Sequence, residues 1–306
     1  MSLPYNGFLY LQSIKGSFKR CKIIPDIFYT TWAYPDAFAT MHLAHKYNKK
    51  YIVRVHGSDI NDLAGRPVVS KKIKMVLDNA ALIISPSQAL KTKILNLGVS
   101  EDKVVVIYSG IDKKKFYPKD KDLSVKELSL DKEKKRILYI GNFLVAKGVI
   151  DLLNAVNGLK HDLKNFEVLF IGKGDNQNQM QKYIEENNLE KIVKIIGPVD
   201  HHNLNNWINS SDCLCLPSYA EGLPNVVLEA LQCQTTVVAT NVGGIPEIIE
   251  NSSDYLVKPG DIENLKIKLL QTLDGSLKKS RSSIEIKDYT QIASQISEYI
   301  DGYLIH

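Results

Sequence analysis

Short apolar runs of four or five residues recur along this chain, separated by stretches with helical periodicity or helix-start signals. The runs fall at residues 26–30, 51–55, 80–84 and 104–108, then at 137–140, 168–171, 192–196, 213–216 and 236–239. They are apolar almost throughout, which is the pattern of strands covered on both faces. Helical stretches lie between them, at 37–47, from Pro86 until Gly98, and from Lys147-Gly148 to Leu159. A short helix is also expected over 8–21, ended by Pro25. Strands alternating with helices at this spacing predict an α/β chain with parallel sheets.

The alternation is interrupted once. Between Gly110 and Arg136 Lys, Asp and Glu dominate and Pro118 intervenes, which reads as a domain linker. The expected organisation is therefore an incomplete first domain at 1–115, a linker at 116–136, a more complete doubly wound domain at 137–285 and a terminal helix at 286–306. In that helix Ile292, Ile296, Tyr299, Ile300 and Tyr303 recur at helical spacing. The opening reads as too short, with Met1-Ser2-Leu3 as a fusion remnant. The first strand of a doubly wound sheet is central, so its loss would leave apolar strand edges unpaired. Either the chain is a fragment, or residues 1–25 and a partner cover that edge.

Composition excludes several classes. In 306 residues with 44% hydrophobic and 24% charged side chains there is no apolar run long enough to cross a membrane. The start lacks a basic region and a small-residue cleavage site, so it is not a signal peptide. Cys21, Cys213, Cys215 and Cys233 form neither a CxxC pair nor a disulfide framework. They read as buried thiols of a reduced, cytoplasmic protein. His42 and His45 share a helical face but lack a third ligand, so no metal site is expected. The net charge is +5, with lysines gathered at 113–115 and 132–135. No aromatic-interleaved basic motif accompanies them, which argues against nucleic acid. A weak attraction to an anionic membrane surface, placing the protein at the inner face, stays open.

The stretch with most chemical content is 217–232, PSYAEGLPNVVLEALQ. It follows an apolar strand and runs into an apolar helix. Pro224 suits the first turn of that helix, and Gly222 lets backbone approach a ligand. Asn225 and Glu229 lie one turn apart on one face. The helix-start amides can hold hydroxyls or anions, and a carboxylate can accept two hydrogen bonds from a diol. Sugars and riboses offer such diols.

Glu221-Gly222-Leu223-Pro224-Asn225, with Glu229 eight positions after Glu221, resembles the Glu-x7-Glu motif of retaining glycosyltransferases of family 4. Four further stretches resemble that family in order. They are His56-Gly57-Ser58-Asp59, the loop from Gly141 to Gly148, Gly172-Lys173-Gly174 and Gly197-Pro198-Val199. The resemblance implies the GT-B fold: two Rossmann-like, doubly wound parallel-sheet domains, the first incomplete, with the last helix crossing back to the first domain. It places His56 by the transferred sugar, to position the transition state. It assigns Lys147, with Gly141 and Asn142, to the diphosphate. Gly172 and Lys173 fall beside the nucleotide, and Val199 beside the base. Glu229 falls to the ribose, and Glu221 to the transferred sugar or the charge developing on it. Leu223, Asn225 and Val226 offer amides to sugar hydroxyls, whereas Pro224 has none to offer. The catalytic set so implied is His56, Glu221 and Lys147.

The family usually carries an Arg where this chain has Asn142, and losing one cation there should cost about 2–4 kcal/mol if it acted as a single oxyanion donor. No Asp-x-Asp metal site is evident, and no cofactor is implied, since the nucleotide diphosphate sugar is substrate. The expected function is metal-independent, retaining transfer of a hexose to a polysaccharide, lipid-linked or small-molecule acceptor. A non-catalytic nucleotide-sugar-binding fragment is the alternative. A nucleotide-sugar epimerase of the same fold fits Glu221, Glu229 and Lys147 less well.

Overall fold

The computed structural model describes residues 5–21 and 23–304. Contacts divide the chain into two compact units. The first comprises the chain up to Ser109, Glu221–Leu223 and the end from Tyr289, and the second Gly110–Ala220 and Pro224–Asp288.

The first unit begins with α1 (Asn6–Cys21), followed by β1 (Ile27–Thr31), α2 (Asp36–Lys46), β2 (Lys50–Arg54), α3 (Pro67–Asn79), β3 (Leu82–Ser85), α4 (Gln88–Asn96) and β4 (Val104–Val106). The four strands are parallel and lie side by side in chain order, with no reversal. Period-two alternation divides their side chains between two cores. Tyr51, Val53 and Ile83 face Phe38 and Met41 of α2, Ile73 and Leu77 of α3, and Leu90 and Ile94 of α4. Ile52, Leu82 and Ile84 belong to the other core. The α1 helix packs through Leu11 against Ala39 and Leu43 of α2. Helix α3, for which the sequence reading assigned no element, begins with Pro67 at a position that needs no N–H.

The second unit contains α5 (Lys121–Glu127), β5 (Lys135–Ile140), α6 (Val149–Asp162), β6 (Phe166–Ile171), α7 (Gln177–Glu186), β7 (Val193–Gly197), α8 (Leu204–Asn209), β8 (Cys213–Leu216), α9 (Asn225–Gln232), β9 (Thr236–Thr240), α10 (Ile245–Ile248), β10 (Leu256–Val257) and α11 (Ile262–Leu273). Its sheet is parallel, in the order β10-β9-β8-β5-β6-β7. Strand order therefore reverses between β5 and β8, and ligands of open parallel sheets bind beyond the strand ends at such a point. At the other end of β5 and β6, Arg136 and Glu167 are paired in register, fully buried, with Nε and Oε1 2.8 Å apart.

The charged stretch read as a linker is built into the second unit. Phe116 is fully buried. Asn205 and Asn209 of α8 accept the backbone N–H groups of Tyr117 and Lys119 at 3.2 and 2.8 Å. The final helix, α12 (Tyr289–Leu304), belongs to the first unit. Its Ile292, with Ile296, Ile300 and Tyr303, completes the core of Ile52, Leu82 and Ile84. Met1-Ser2-Leu3, on which the fusion-remnant reading falls, lies outside the described residues.

Candidate functional site

In the second unit, the loops at the switch point are the one leaving β5, from Gly141 to Gly148, and the one leaving β8, from Pro217 to Pro224. The Tyr219 N–H donates to the Ala146 carbonyl at 2.9 Å, which ties the two loops together. Gly148 has φ +66, and a Cβ there would run into the Pro217 carbonyl oxygen, so the approach requires glycine. Gly148 also precedes α6, so Lys147 stands just before the N-terminus of a fourteen-residue helix. A cation beside unpaired helix amides is a combination that suits phosphate oxygens. Asn142 is exposed, and its carbonyl accepts the Tyr139 hydroxyl at 2.8 Å.

The neighbouring strand ends are laced to these loops. Gly141 N donates to Ile171 O at 3.0 Å, Phe143 N to Lys173 O at 2.9 Å, and Gly172 N to Gly197 O at 3.0 Å. Gly141, Asn142, Gly172, Lys173 and Val199 thus stand along adjacent strand ends. Val199 is half-buried and the Lys173 side chain exposed.

After β8, Pro224 has an extended ψ of 119° and lies outside α9, so the expectation that it occupies the first helical turn is corrected. Helical geometry starts at Asn225, and the Pro224 carbonyl accepts the Val227 N–H at 3.1 Å. The Asn225 and Val226 amides have no partner among the described residues. Glu229, on the same helix, is 4% exposed. Burial holds its pKa above the ordinary carboxylate value, and His201 opposes that rise by hydrogen bond and charge.

His201, whose side chain is half exposed, also reaches that carboxylate. Its Nε2 lies 2.9 Å from Glu229 Oε1, and its ring meets Phe116 edge-on at 5.0 Å. The local cap is supplied by Asp200, which accepts the His202 N–H at 2.9 Å. One signal was available: the His pair follows directly on the C-terminal end of β7, the ligand side of such a sheet.

The other expected residues lie in the first unit. His56 follows β2 and is exposed. The surrounding protein makes charging it costly, which lowers its pKa; Asp59 opposes this and Arg54 adds to it. Asp59 is fully buried and accepts the N–H groups of Gly57 at 2.8 Å, His56 at 3.1 Å and Ala33 at 3.0 Å. Of the Glu221–Leu223 segment, Glu221 gives its carbonyl to Asn61 Nδ2 at 3.0 Å. Gly222 does not leave space for a ligand, as its sequence suggested. The room that a Cβ would need is filled by backbone of His56 and Gly57, so glycine is required for chain packing. Leu223 is buried.

A cavity of about 440 Å³ opens at the opposite end of the second sheet, lined by Lys119, Lys121, Lys135 and Lys279. Helices α8, α9 and α11 end beside it, so these lysines complement helix C-termini. It is not the candidate site.

Two parallel-sheet units, the second with its strand order reversing between β5 and β8, make up a GT-B-like fold. The glycosyl transferases group 1 model matches residues 120–290, and the Glycosyltransferase Family 4 model matches residues 3–115. The chain belongs to the glycosyl transferases group 1 family. It is 28% identical to the amylovoran biosynthesis glycosyltransferase AmsK of Erwinia amylovora, over 82% of this chain and 62% of that protein. It is 25% identical to the N-acetyl-alpha-D-glucosaminyl L-malate synthase of Bacillus anthracis, over 81% of this chain and 65% of that one. It therefore spans less than two thirds of the length of these relatives. Among solved structures, Anabaena HepE in complex with UDP and glucose superposes with a TM-score of 0.81 at 19% identity, covering 98% of this chain and 83% of that one. Among the described residues, no helix is long and apolar enough to cross a membrane.

Proposed function

We propose that this chain transfers a hexose, with retention and without a metal, from a nucleotide diphosphate sugar to a polysaccharide, lipid-linked or small-molecule acceptor. The observation that carries the reading is the second sheet's switch point. Lys147 and the α6 N-terminus stand there on one side, and α9 with its buried Glu229 on the other. Lys147 and the α6 amides stabilise the charge that develops on the departing diphosphate. Glu229 accepts the two ribose hydroxyls. Its carboxylate is held by His201 at one oxygen, which leaves Oε2 and the remaining lone pairs for the diol. The amides of Asn225 and Val226 face the nucleotide sugar's hydroxyls, and Gly141, Gly172, Lys173 and Val199 line the nucleotide. His56, whose pKa the surrounding protein lowers, exchanges hydrogen bonds with the transferred sugar. Glu221 supports the positive charge that grows on the reacting ring.

HepE was solved with UDP, so uridine diphosphate is the first nucleotide to test. A second reading, nucleotide-sugar binding without turnover, is favoured by the neutral Asn142 in the β5 loop. The test is a thermal shift against UDP, GDP, ADP and their sugar conjugates. Ligand at about 100 times its dissociation constant adds about 2.7 kcal/mol of stability. We expect a shift with one nucleotide, lost in Glu229→Ala and Lys147→Ala. No shift with any of them would overturn both readings. A shift without sugar release in a following turnover assay would select the second.

A further inference from the structure

A second cavity of the second unit, also of about 440 Å³, is lined by Glu250, Asn251, Tyr255, Lys278, Lys279 and Arg281. Tyr255 immediately precedes β10, and Ser280 meets Val237 near the start of β9, so the cavity lies away from the loops that leave β5 and β8. Its charges are left unanswered, unlike those of the lysine-lined cavity beside it. There Lys119 is paired with Glu127 at 2.6 Å, and Lys121 and Lys135 with Asp212 at 2.6 and 3.7 Å. Lys279 lines both cavities. Neither it nor Lys278 nor Arg281 makes an ion pair among the described residues.

The backbone that carries these cations is fixed. Ser280 is 3% exposed, and its Oγ accepts the Val237 N–H of β9 at 2.9 Å. Its neighbours Lys279 and Arg281 are both exposed, as alternation along an extended segment requires. The segment then runs antiparallel to residues 248–250. Glu250 N donates to Arg281 O at 2.9 Å, Ser283 N donates to Ile248 O at 3.1 Å, and Ile249 is bridged to Ser282 between them. Buried Tyr255 forms a wall, its hydroxyl donating to Lys279 O at 3.4 Å. A cleft lined by one sign of charge concentrates counter-ions, and like charges held together on a fixed chain are stabilised by an anion placed among them.

We propose that this cavity binds a phosphoryl group, carried either by a small phosphate ester or by a lipid headgroup. Its volume falls within the range of about 300–1,000 Å³ typical of small-molecule sites. Arg281 supplies the planar fork that matches two phosphate oxygens, and Lys278 and Lys279 supply point charges. Three cations against the Glu250 carboxylate leave two positive charges, which one phosphate dianion neutralises. The Asn251 amide and the Tyr255 hydroxyl are donors for the remaining oxygens of the ester. The site is separate from the transferase reading, which puts the donor's diphosphate at Lys147.

The probes are inorganic pyrophosphate, glucose 1-phosphate and glycerol 3-phosphate, and separately phosphatidylcholine vesicles with and without phosphatidic acid. Free probes are read by amide NMR shifts of the isotope-labelled chain, and vesicles by co-sedimentation. At least one free probe should move the amides of 278–283 and Asn251 saturably, or phosphatidic acid should bring the chain down with the vesicles. Arg281→Gln and Lys279→Gln should each weaken that binding by about tenfold or more, as the loss of a charge-assisted hydrogen bond does. Lys147→Ala should leave it unchanged, and both Gln variants should keep any thermal shift that UDP induces. A response to free esters assigns the site to a soluble phosphate ester, and a response to phosphatidic acid alone assigns it to a lipid headgroup. The proposal is overturned if no probe binds, or if potassium chloride at matched ionic strength moves the same amides equally. It is also overturned if binding survives in Arg281→Gln and Lys279→Gln, and its loss in Lys147→Ala would then place the phosphate at the donor end.

Discussion

Glu229 is a carboxylate that folding has to bury, and the sign of its shift says what that does to stability. Its folded pKa lies above its unfolded one, so the native state binds the proton more tightly. Above the folded pKa the buried charge costs stability, and the cost fades as pH falls through that value. Glu229→Gln should therefore raise the melting temperature at pH 8, and the gain should shrink toward pH 5 in melts across that range. The same substitution should weaken nucleotide binding by about 10- to 100-fold, since charge-assisted hydrogen bonds are worth about 1.5–3 kcal/mol. His201→Ala should push the Glu229 pKa further up, because it removes the partner that opposes burial. The carboxylate was legible in the sequence from its spacing on a helix start. Its partner was not, since His201 and Glu229 are joined only when the turn after β7 folds toward α9. A residue in the charged stretch, Phe116, meets the same His201 ring edge-on.

At the scale of elements, nine of the ten strands described were readable because each is a short apolar run, with bounds within two residues of those expected, whereas the two-residue β10 was not read. The assignment failed where composition misleads. The stretch from 110 to 136 is charged, yet Ile111, Phe116 and Val125 are buried, and two asparagines of α8 fasten its backbone. Arg136 and Glu167 show the same limit, because charged residues opening two strands read as surface. Arg136 donates through Nε to Glu167 and through Nη2 to the Asp131 carbonyl, while its buried Nη1 has no partner among the described residues. Lys194 reaches the other Glu167 oxygen at 2.7 Å. Removing one charge from such a pair strands the other. Glu167→Ala should cost about 3–5 kcal/mol, whereas replacing both Arg136 and Glu167 with Met should cost much less. Urea unfolding monitored by amide exchange in β5 and β6 would give the comparison. Equal losses in the single and double variants would show that packing, and not charge pairing, governs these strand starts.

Over the whole molecule, the order of the chain and the order of its cores are not the same. The first unit's sheet is built from residues before Ser109, yet one of its faces is closed by α12, the last helix described. The other face needs no such help, because α2, α3 and α4 are the crossovers between its own strands. Helical spacing in the tail is visible in sequence and the family resemblance returns that helix to the first domain, while the contact itself is the long-range match of Ile292 to Ile52, Leu82 and Ile84. This closure is non-local, so its loop-closure entropy must be met before the contact returns any stability. Ile292 is the α12 residue buried in that second core. Ile292→Ala should cost the first unit about 2–5 kcal/mol. Hydrogen exchange is the suitable readout, since it resolves units that need not unfold together. Amides of β2 and β3 should exchange faster in the variant, while those of β5 and β6, whose sheet α12 does not cover, should keep their wild-type protection. Faster exchange in both sheets would mean that the two units unfold as one. Unchanged exchange in β2 and β3 would mean that α12 contributes little to the stability of the face it covers.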